Sequence, residues 1–211
     1  GYGEELYANA RRQIGRQIQD DIEDGTRWAI AAGVADPKRI AIFGMSYGGY
    51  SALFALAHNP ELYRCGISFA GVTDWLAIYG NSDVAEYKQA RAYWREQIGD
   101  PDKEKDFLKN ISPVNFPDKI VAPVLIIQGK EDRRVPPDQA RRMISALAKA
   151  GRKPESLFVS GVAPLGAGVG GTIGGTVGLA TGLSLPAGLE TALTVGLVRS
   201  AGLGLGPALT A

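Results

Sequence analysis

Ser46 is the residue of this sequence best placed to act as a nucleophile, because it occupies the centre of the segment GMSYG. An apolar run precedes the segment and an apolar helical run follows it, which predicts a strand that turns sharply into a helix, a nucleophile elbow. Gly44 and Gly48 are expected to remove side chains that would collide with neighbouring backbone. The helix start would direct the Tyr47 amide toward an oxyanion. A glycine-rich structural turn is the alternative interpretation.

One histidine and one cysteine restrict the remaining chemistry of the chain. His58 and Ser46 belong to the same predicted helix and lie about 18 Å apart at about 1.5 Å per residue. His58 therefore cannot take a proton from Ser46, and we expect it to end the helix. Cys65 alone forms no intrachain disulfide, and one His with one Cys makes no typical metal site. The sequence predicts no cofactor and no metal.

Strand-like and helix-like segments alternate along residues 1–159, which predicts an α/β fold with a mainly parallel sheet. The predicted strands are residues 40–43, 65–70, 123–128 and a last one that begins at 156–159. The predicted helices are residues 6–32, the elbow helix up to residue 59, and residues 85–97, 103–109 and 137–150. The strand at 123–128 is apolar enough to be buried on both faces.

Composition divides the chain into two parts. Residues 1–159 hold all 17 aromatic side chains, with 22 basic and 21 acidic residues, a balance that argues against nucleic acid or an anionic membrane as a partner. Residues 160–211 contain 14 glycines, two charged residues and no aromatic residue, too little for a core of ordinary density. We predict a domain at 1–159 and a Gly/Ala/Leu-rich low-complexity tail at 160–211 that is foreign to it.

The tail has three interpretations. The abrupt loss of aromatic and charged residues inside a predicted strand favours a shifted reading frame in a GC-rich gene. A flexible low-complexity extension is the second interpretation. The third is a membrane or glycine-zipper segment, because Gly-x-x-x-Gly repeats run between residues 166 and 182. Ten glycines and two prolines between residues 160 and 189 make a poor helix, so we expect no membrane partner.

Four segments together resemble the catalytic domain of the prolyl oligopeptidase family of serine peptidases. They are the elbow GMSYGGY at 44–50, DPKR at 36–39, GVTDW at 71–75 and PVLIIQGKEDRRVP at 123–136. The resemblance implies an α/β-hydrolase fold, which we expect to be incomplete at both ends in this chain. It also implies a Ser-Asp-His triad in that order, peptide or acylated amino-acid substrates, and an N-terminal β-propeller in the same polypeptide. Acylaminoacyl and dipeptidyl peptidases are the members that it resembles most.

Asp132 matches the acid of the family's triad, because it follows a buried strand in a loop of the form Gly-x-x-Asp-x-x-Val-Pro. An aspartate at the carboxyl edge of the sheet is placed to orient an imidazole. A solvated ion pair with Arg133 and Arg134 is the alternative, and Glu131 is the second candidate for the acid. The family's histidine would follow the strand that begins at 156–159, but no histidine follows it here.

Three aromatic residues, Tyr79, Tyr93 and Trp94, lie in the insertion where this family builds its primary specificity pocket, and ordinary packing is the alternative role for each. We expect a serine peptidase that forms an acyl-enzyme on Ser46 and is inactive in this chain, because the triad histidine is missing. A carboxylesterase of the same fold and a non-catalytic truncated product are the alternative functions.

Three expectations concern the chain as a whole. It begins with Gly1 rather than methionine, so we expect a fragment of a longer protein. We expect a cytoplasmic location, with a periplasmic or secreted one as the alternative. Because the strands that would flank residues 40–43 are missing, we also expect residues 1–211 to fold poorly alone and to aggregate.

Overall fold

Four parallel strands form one sheet in the computed structural model, which describes residues 3–160. The strands are β1 (Ala41–Met45), β2 (Cys65–Phe69), β3 (Val124–Gly129) and β4 (Glu155–Val159), and they lie side by side in sequence order. Every neighbouring pair is parallel, which confirms the predicted fold class. All four strands therefore end at the same edge of the sheet, and the two predicted reactive residues follow β1 and β3 at that edge.

The described residues also form seven α-helices. They are α1 (Glu4–Asn9), α2 (Gln17–Ala31), α3 (Tyr47–His58), α4 (Trp75–Asn81), α5 (Lys88–Gln97), α6 (Lys105–Asn110) and α7 (Pro137–Lys149). Short 3₁₀ turns occupy Asp83–Ala85, Pro113–Asn115 and Pro117–Lys119. The connection between β2 and β3 is the longest in this part of the chain and contains α4, α5 and α6.

The main core lies between the sheet and the two helices α3 and α7. Nine of the twelve residues of α3 are buried, because its sequence is apolar on every side. Ile42, Val124 and Ile126 of the strands pack against these helices. The helix side chains of this core are Leu53, Ala55, Leu56, Ala57, Ala140, Met143 and Leu147. Their burial fixes α3, and the turn from which it starts, against the sheet.

The single long helix predicted at residues 6–32 is instead two helices, α1 and α2, with a bend between them. Arg12 and Gly15 have φ values of 58° and 70°, which an α-helix does not contain. Arg12 N–H donates to Gln97 O at 2.8 Å, and a Cβ on Gly15 would lie 2.6 Å from Ile111 Cγ2. Contacts with distant residues thus break the helix, and the spacing of apolar residues does not reveal them.

Two further differences lie between β2 and β3. Helix α4 was not among the predicted elements; Asp74 caps it, with Oδ1 accepting two first-turn N–H groups at 3.1 Å. The helix predicted at 85–97 begins at Lys88, because Asp83–Ala85 form a 3₁₀ turn. The other predicted elements agree with the structure to within two residues.

Within residues 3–160, none of the helices has both the length and the apolar character needed to cross a membrane. The predictions for the tail concern residues 160–211, of which all but Ser160 lie outside the described residues.

Gln139 connects the first turn of α7 to the loop after β2. Its side chain is 1% exposed, and its Oε1 accepts hydrogen bonds from the N–H groups of Thr73 and Asp74 at 2.8 and 2.7 Å. Its Nε2 donates to Asp74 O at 3.0 Å. One buried side chain therefore satisfies three backbone groups of this loop.

We expect Gln139→Met to lower the free energy of unfolding by about 2–4 kcal/mol, because each buried polar group left without a partner costs about 1–3 kcal/mol. Urea unfolding followed by circular dichroism measures the change. Gln89→Met, at an exposed position of α5, is the matched control and should change the value by less than about 0.5 kcal/mol. Equal effects of the two substitutions would contradict the role given to Gln139.

Candidate active site

The turn between β1 and α3 holds Ser46 in a strained backbone conformation. Its φ and ψ are 56° and −118°, a region that residues with a Cβ rarely adopt. Its N–H donates to Phe69 O at 2.8 Å, and its C=O accepts from Tyr50 N–H at 3.1 Å. The serine is thus bonded both to β2 and to α3, and the local geometry is the strand–turn–helix that the sequence predicts.

Gly44 is the glycine that this turn requires. A Cβ on Gly44 would lie 2.2 Å from Gly48 O and 2.7 Å from Gly48 Cα, so no side chain fits between β1 and the first turn of α3. The corresponding expectation for Gly48 is wrong. Beyond its own helix and chain neighbours, a Cβ on Gly48 would meet no atom of the described residues within 4 Å, because it would point into open space.

Two further glycines, which the sequence analysis did not single out, bring α3 close to the end of β2. A Cβ on Gly49 would lie 2.8 Å from Gly71 Cα, and one on Gly71 would lie 2.3 Å from Ser68 Oγ. The doubled glycine at 48–49 is the feature of the sequence that could have indicated this close approach. The start of α3 is therefore in backbone contact with the loop that follows β2.

Tyr47 is the first residue of α3, so its N–H has no acceptor within the helix. The positive end of the helix dipole adds to the attraction that this amide exerts on a negative charge. The Tyr47 hydroxyl lies 3.5 Å from Gln19 Oε1, which also accepts from Ser51 Oγ at 2.8 Å. Burial raises the pKa of the Tyr47 phenol, which keeps it neutral. The amide directly follows Ser46 in the chain, and its role as an oxyanion donor stays a prediction.

Asp132 is buried, with 2% of its surface exposed, and its two carboxylate oxygens differ in environment. Oδ1 accepts hydrogen bonds from the N–H groups of Arg134 and Val135, both at 2.9 Å. Oδ2 is buried and has no hydrogen-bond partner among the described residues. Burial raises the pKa of Asp132 above its ordinary value of 3.8, although the two amides act in the opposite direction. The neighbouring Glu131 is exposed, so Asp132 is the better candidate for an orienting acid.

The alternative of a solvated ion pair at Asp132 does not match these contacts. Arg133 pairs with Glu86, and Arg134 Nε donates to Asp83 at 3.0 Å. Both arginine side chains are thus paired with acids of the segment before α5. The carboxylate of Asp132 is held by backbone amides instead.

Ser46 and Asp132 lie at the same edge of the sheet, after β1 and β3, with β2 between these strands. Adjacent strands are about 4.8 Å apart, so the two strand ends are separated by about 10 Å. β4 continues this edge, since Lys130 N–H of the loop before Asp132 donates to Val159 O at 2.9 Å. The loop that carries the histidine in the family that the sequence resembles would start here, and the residues after Ser160 lie outside the described part of the chain.

His58 is the last residue of α3 and lies at the opposite end of that helix from Ser46. Its ring stacks on Phe54 with a centroid distance of 3.9 Å, and its Nδ1 lies 3.0 Å from Phe54 O. Burial lowers the pKa of His58. Its place is that of a helix-end side chain, as expected.

The three aromatic residues predicted to line a substrate pocket occupy different environments. Tyr79 is buried, and its hydroxyl donates to Gly99 O at 2.9 Å. Tyr93 is exposed on α5, and its hydroxyl lies 3.2 Å from that of Tyr7. Trp94 meets the Tyr93 ring edge-on at 5.6 Å. Tyr79 thus belongs to a buried apolar cluster, and the pocket role of the three stays a prediction.

Two cavities lie away from Ser46 and Asp132. One of about 340 Å³ lies between α7 and β4, and one of about 500 Å³ lies among α2, α3 and α6. Neither cavity is lined by a predicted site residue. In the part of the chain that the structure describes, no group of three His, Cys, Asp or Glu side chains could hold a metal ion.

Comparison with known proteins gives a consistent result. The model of the prolyl oligopeptidase family matches residues 1–161. Dipeptidyl aminopeptidase BIII of Pseudoxanthomonas mexicana is 31% identical over 153 residues, which are 70% of this chain and 22% of that protein. The acylamino-acid-releasing enzyme of Mus musculus is 25% identical over 162 residues, 75% of this chain and 22% of that protein.

Solved structures agree with the sequence relatives. Uncomplexed acylaminoacyl peptidase of Pyrococcus horikoshii has a TM-score of 0.68 and 31% identity, over 75% of this chain and 25% of that one. A puromycin-hydrolyzing peptidase of Mycobacterium tuberculosis has a TM-score of 0.70 and 29% identity, over 76% of this chain and 24% of that one. The chain therefore spans about a quarter of the length of these proteins.

The two elbow glycines should respond oppositely to the same substitution. We expect Gly44→Ala to lower the free energy of unfolding by about 2 kcal/mol or more, because its methyl group would overlap the Gly48 backbone. Gly48→Ala is the matched control and should be neutral or stabilise by up to about 1 kcal/mol, the helix preference for Ala over Gly. Thermal unfolding of both variants measures this contrast, and a larger loss at Gly48 would refute it.

Removing the charge of Asp132 should stabilise the protein in a pH-dependent way. The folded-state pKa of Asp132 is raised, so ionisation of this group favours unfolding. Well below pH 3.8 the group is protonated in both states and costs no stability. As the pH rises from there through the folded pKa, the unfolded chain ionises more readily than the folded one, so the unmodified chain loses stability. We therefore expect Asp132→Asn to gain stability over the unmodified chain between pH 3 and pH 7, as measured by urea unfolding.

Asp118→Asn is the control for removal of a carboxylate, because Asp118 is exposed. A stability difference between Asp132→Asn and the unmodified chain that stays constant over this pH range would contradict the raised pKa of Asp132.

Proposed function

The chain belongs to the prolyl oligopeptidase family, and from that premise we propose that Ser46, Tyr47 and Asp132 are parts of a serine peptidase site that cleaves peptides or acylated amino acids. By family it is a hydrolase, and its four parallel strands are part of an α/β-hydrolase sheet. The observation that carries the proposal is that a strained Ser46 follows β1 and a buried Asp132 follows β3 at the same edge of the sheet, and that Asp132 Oδ2 has no hydrogen-bond partner within residues 3–160.

In this reaction, Ser46 Oγ attacks the carbonyl carbon of the scissile bond, and its proton passes to a base. The carbonyl oxygen becomes an oxyanion, to which the Tyr47 N–H donates. The tetrahedral species then releases the amine, which takes the proton from the base, and leaves an ester on Ser46. Water hydrolyses the ester by the same steps and restores the serine.

Asp132 would act through the base and not on the substrate. Its Oδ1 is fixed by two amides, which leaves Oδ2 to accept the N–H of an imidazole and to stabilise the imidazolium that forms. The sequence contains no histidine after His58, and His58 lies at the far end of α3. We therefore propose that the chain as printed has the nucleophile and the orienting acid but turns over peptides only weakly.

The proposal for the whole protein goes beyond these residues. Because the chain spans about a quarter of the relatives' length, we propose that an N-terminal β-propeller in the same polypeptide accompanies this domain and that peptides are the substrates. We also propose a cytoplasmic location, which the single, buried thiol of Cys65 supports. Pocket roles for Tyr79, Tyr93 and Trp94 are part of the same proposal.

Free imidazole tests the proposed site, because it can stand in for the missing base. We expect purified residues 1–211 to hydrolyse an aminoacyl-anilide at no more than about 10³ times the uncatalysed rate. Added imidazole should raise the rate, and Ser46→Ala should abolish the imidazole-dependent part. Asp132→Asn should reduce it, because an amide at this position favours the wrong tautomer.

Ser145→Ala and Asp118→Asn are the controls, since both positions are exposed and lie outside the site. If the chain hydrolyses the anilide efficiently without imidazole, and Ser46→Ala abolishes that activity, then the chain contains a base and this part of the proposal is wrong. Equal imidazole-dependent rates with and without Ser46 would refute the nucleophile. Hydrolysis of a simple ester with no hydrolysis of the anilide would favour the carboxylesterase instead.

A further inference from the structure

The acid loop, residues 130–135, carries Asp132 and depends on contacts at both of its ends. At its start, Lys130 N–H donates to Val159 O of β4 at 2.9 Å. In its middle, Arg133 O accepts from Asp83 N–H at 2.9 Å. At its end, Val135 is 2% exposed, and its N–H is one of the two donors to Asp132 Oδ1.

Gln128, a residue of the sheet, donates hydrogen bonds to the backbone on both sides of this loop. It belongs to β3, its side chain is 0% exposed, and its Nε2 donates to Val135 O at 2.9 Å and to Gly129 O at 3.2 Å. Gly129 is the last residue of β3 and immediately precedes the acid loop, and Val135 is the last residue of that loop. One amide group thus joins the strand end, where the loop leaves the sheet, to the residue where the loop meets α7.

The amide oxygen of Gln128 has a different environment from its amide nitrogen. Its Oε1 is buried and has no hydrogen-bond partner among the described residues. A buried polar atom without a partner costs about 1–3 kcal/mol, which an apolar residue in β3 would avoid. Stability alone therefore does not account for an amide at this position. The need for one donor to Gly129 O, just before the acid loop, and to Val135 O, at its end, does.

We infer that Gln128 is a positioning residue for Asp132: by donating to Gly129 O and Val135 O, it holds the acid loop so that the amides of Arg134 and Val135 point at Asp132 Oδ1. This leaves Oδ2 in a fixed direction. The catalytic meaning of this inference rests on the proposed function of Asp132, but the positioning itself is measurable without turnover.

Gln128→Met tests the inference in the full chain, because methionine has nearly the same length and shape but no donor. We expect the Arg134 and Val135 amides to exchange hydrogen about tenfold faster relative to the β3 amides, the factor for one lost hydrogen bond. We also expect the measured pKa of the Asp132 carboxyl, followed by NMR, to rise, because its two amide donors are then less well aligned. Asp83 and Arg134 are the charged groups that also act on this carboxyl, and the substitution leaves both in place.

Gln139→Met is the matched control, since Gln139 is the same residue type, equally buried, and bonded to Thr73 and Asp74 instead. It should leave the Asp132 titration unchanged. Equal Asp132 titrations in the unmodified chain and in Gln128→Met, or the same shift in both variants, would overturn the inference. In the unmodified chain the Gln128 side-chain amide protons should exchange slowly, and fast exchange would overturn it even if the variant does not fold.

Failure of this test and failure of the proposed function are distinguishable. If Ser46→Ala left the imidazole-dependent rate unchanged, the proposed peptidase function would be wrong, but the Asp132 titration would be unaffected. An unchanged titration in Gln128→Met would remove the positioning role and leave the Ser46 result unaffected.

Discussion

The close approach of α3 to the sheet is the constraint on which the rest of the site depends. Gly44 allows the first turn of α3 to touch β1, and Gly49 and Gly71 allow it to touch the end of β2. Buried apolar residues along α3 then hold the helix in this position. A helix that starts so near the strand end holds Ser46 at a positive φ, in the turn that Tyr47, the first residue of α3, directly follows.

Local signals made the elbow predictable from sequence. The glycines, the apolar strand and the apolar helix around Ser46 lie within a few residues of one another, so their spacing carries the geometry. The same holds for Asp132, which follows a strand buried on both faces. The sequence predicted a close backbone contact at Gly48, where there is none, and did not indicate those at Gly49 and Gly71. Only the packed structure shows where a Cβ would collide with a neighbouring segment.

Distant contacts account for the parts that the sequence did not predict. Arg12 and Gly15 break a helical pattern because Gln97 and Ile111, far along the chain, occupy the path of a continuous helix. Gln128 and Gln139 look like ordinary polar residues in a strand and a helix. Their roles depend on loops that reach them through the fold, so neither spacing nor residue type identifies them.

The two oxygens of the Asp132 carboxylate have different environments. Two backbone amides donate to Oδ1 and set the direction of the group, while Oδ2 is buried and has no hydrogen-bond partner in the part of the chain that the structure describes. An arginine bound at Oδ2 would remove the cost of burial, but it would also occupy the position that an imidazole needs. Arg133 and Arg134 pair instead with Glu86 and Asp83, which keeps that position open. The fold thus maintains an unfavourable buried oxygen, as expected where stability is given up for function.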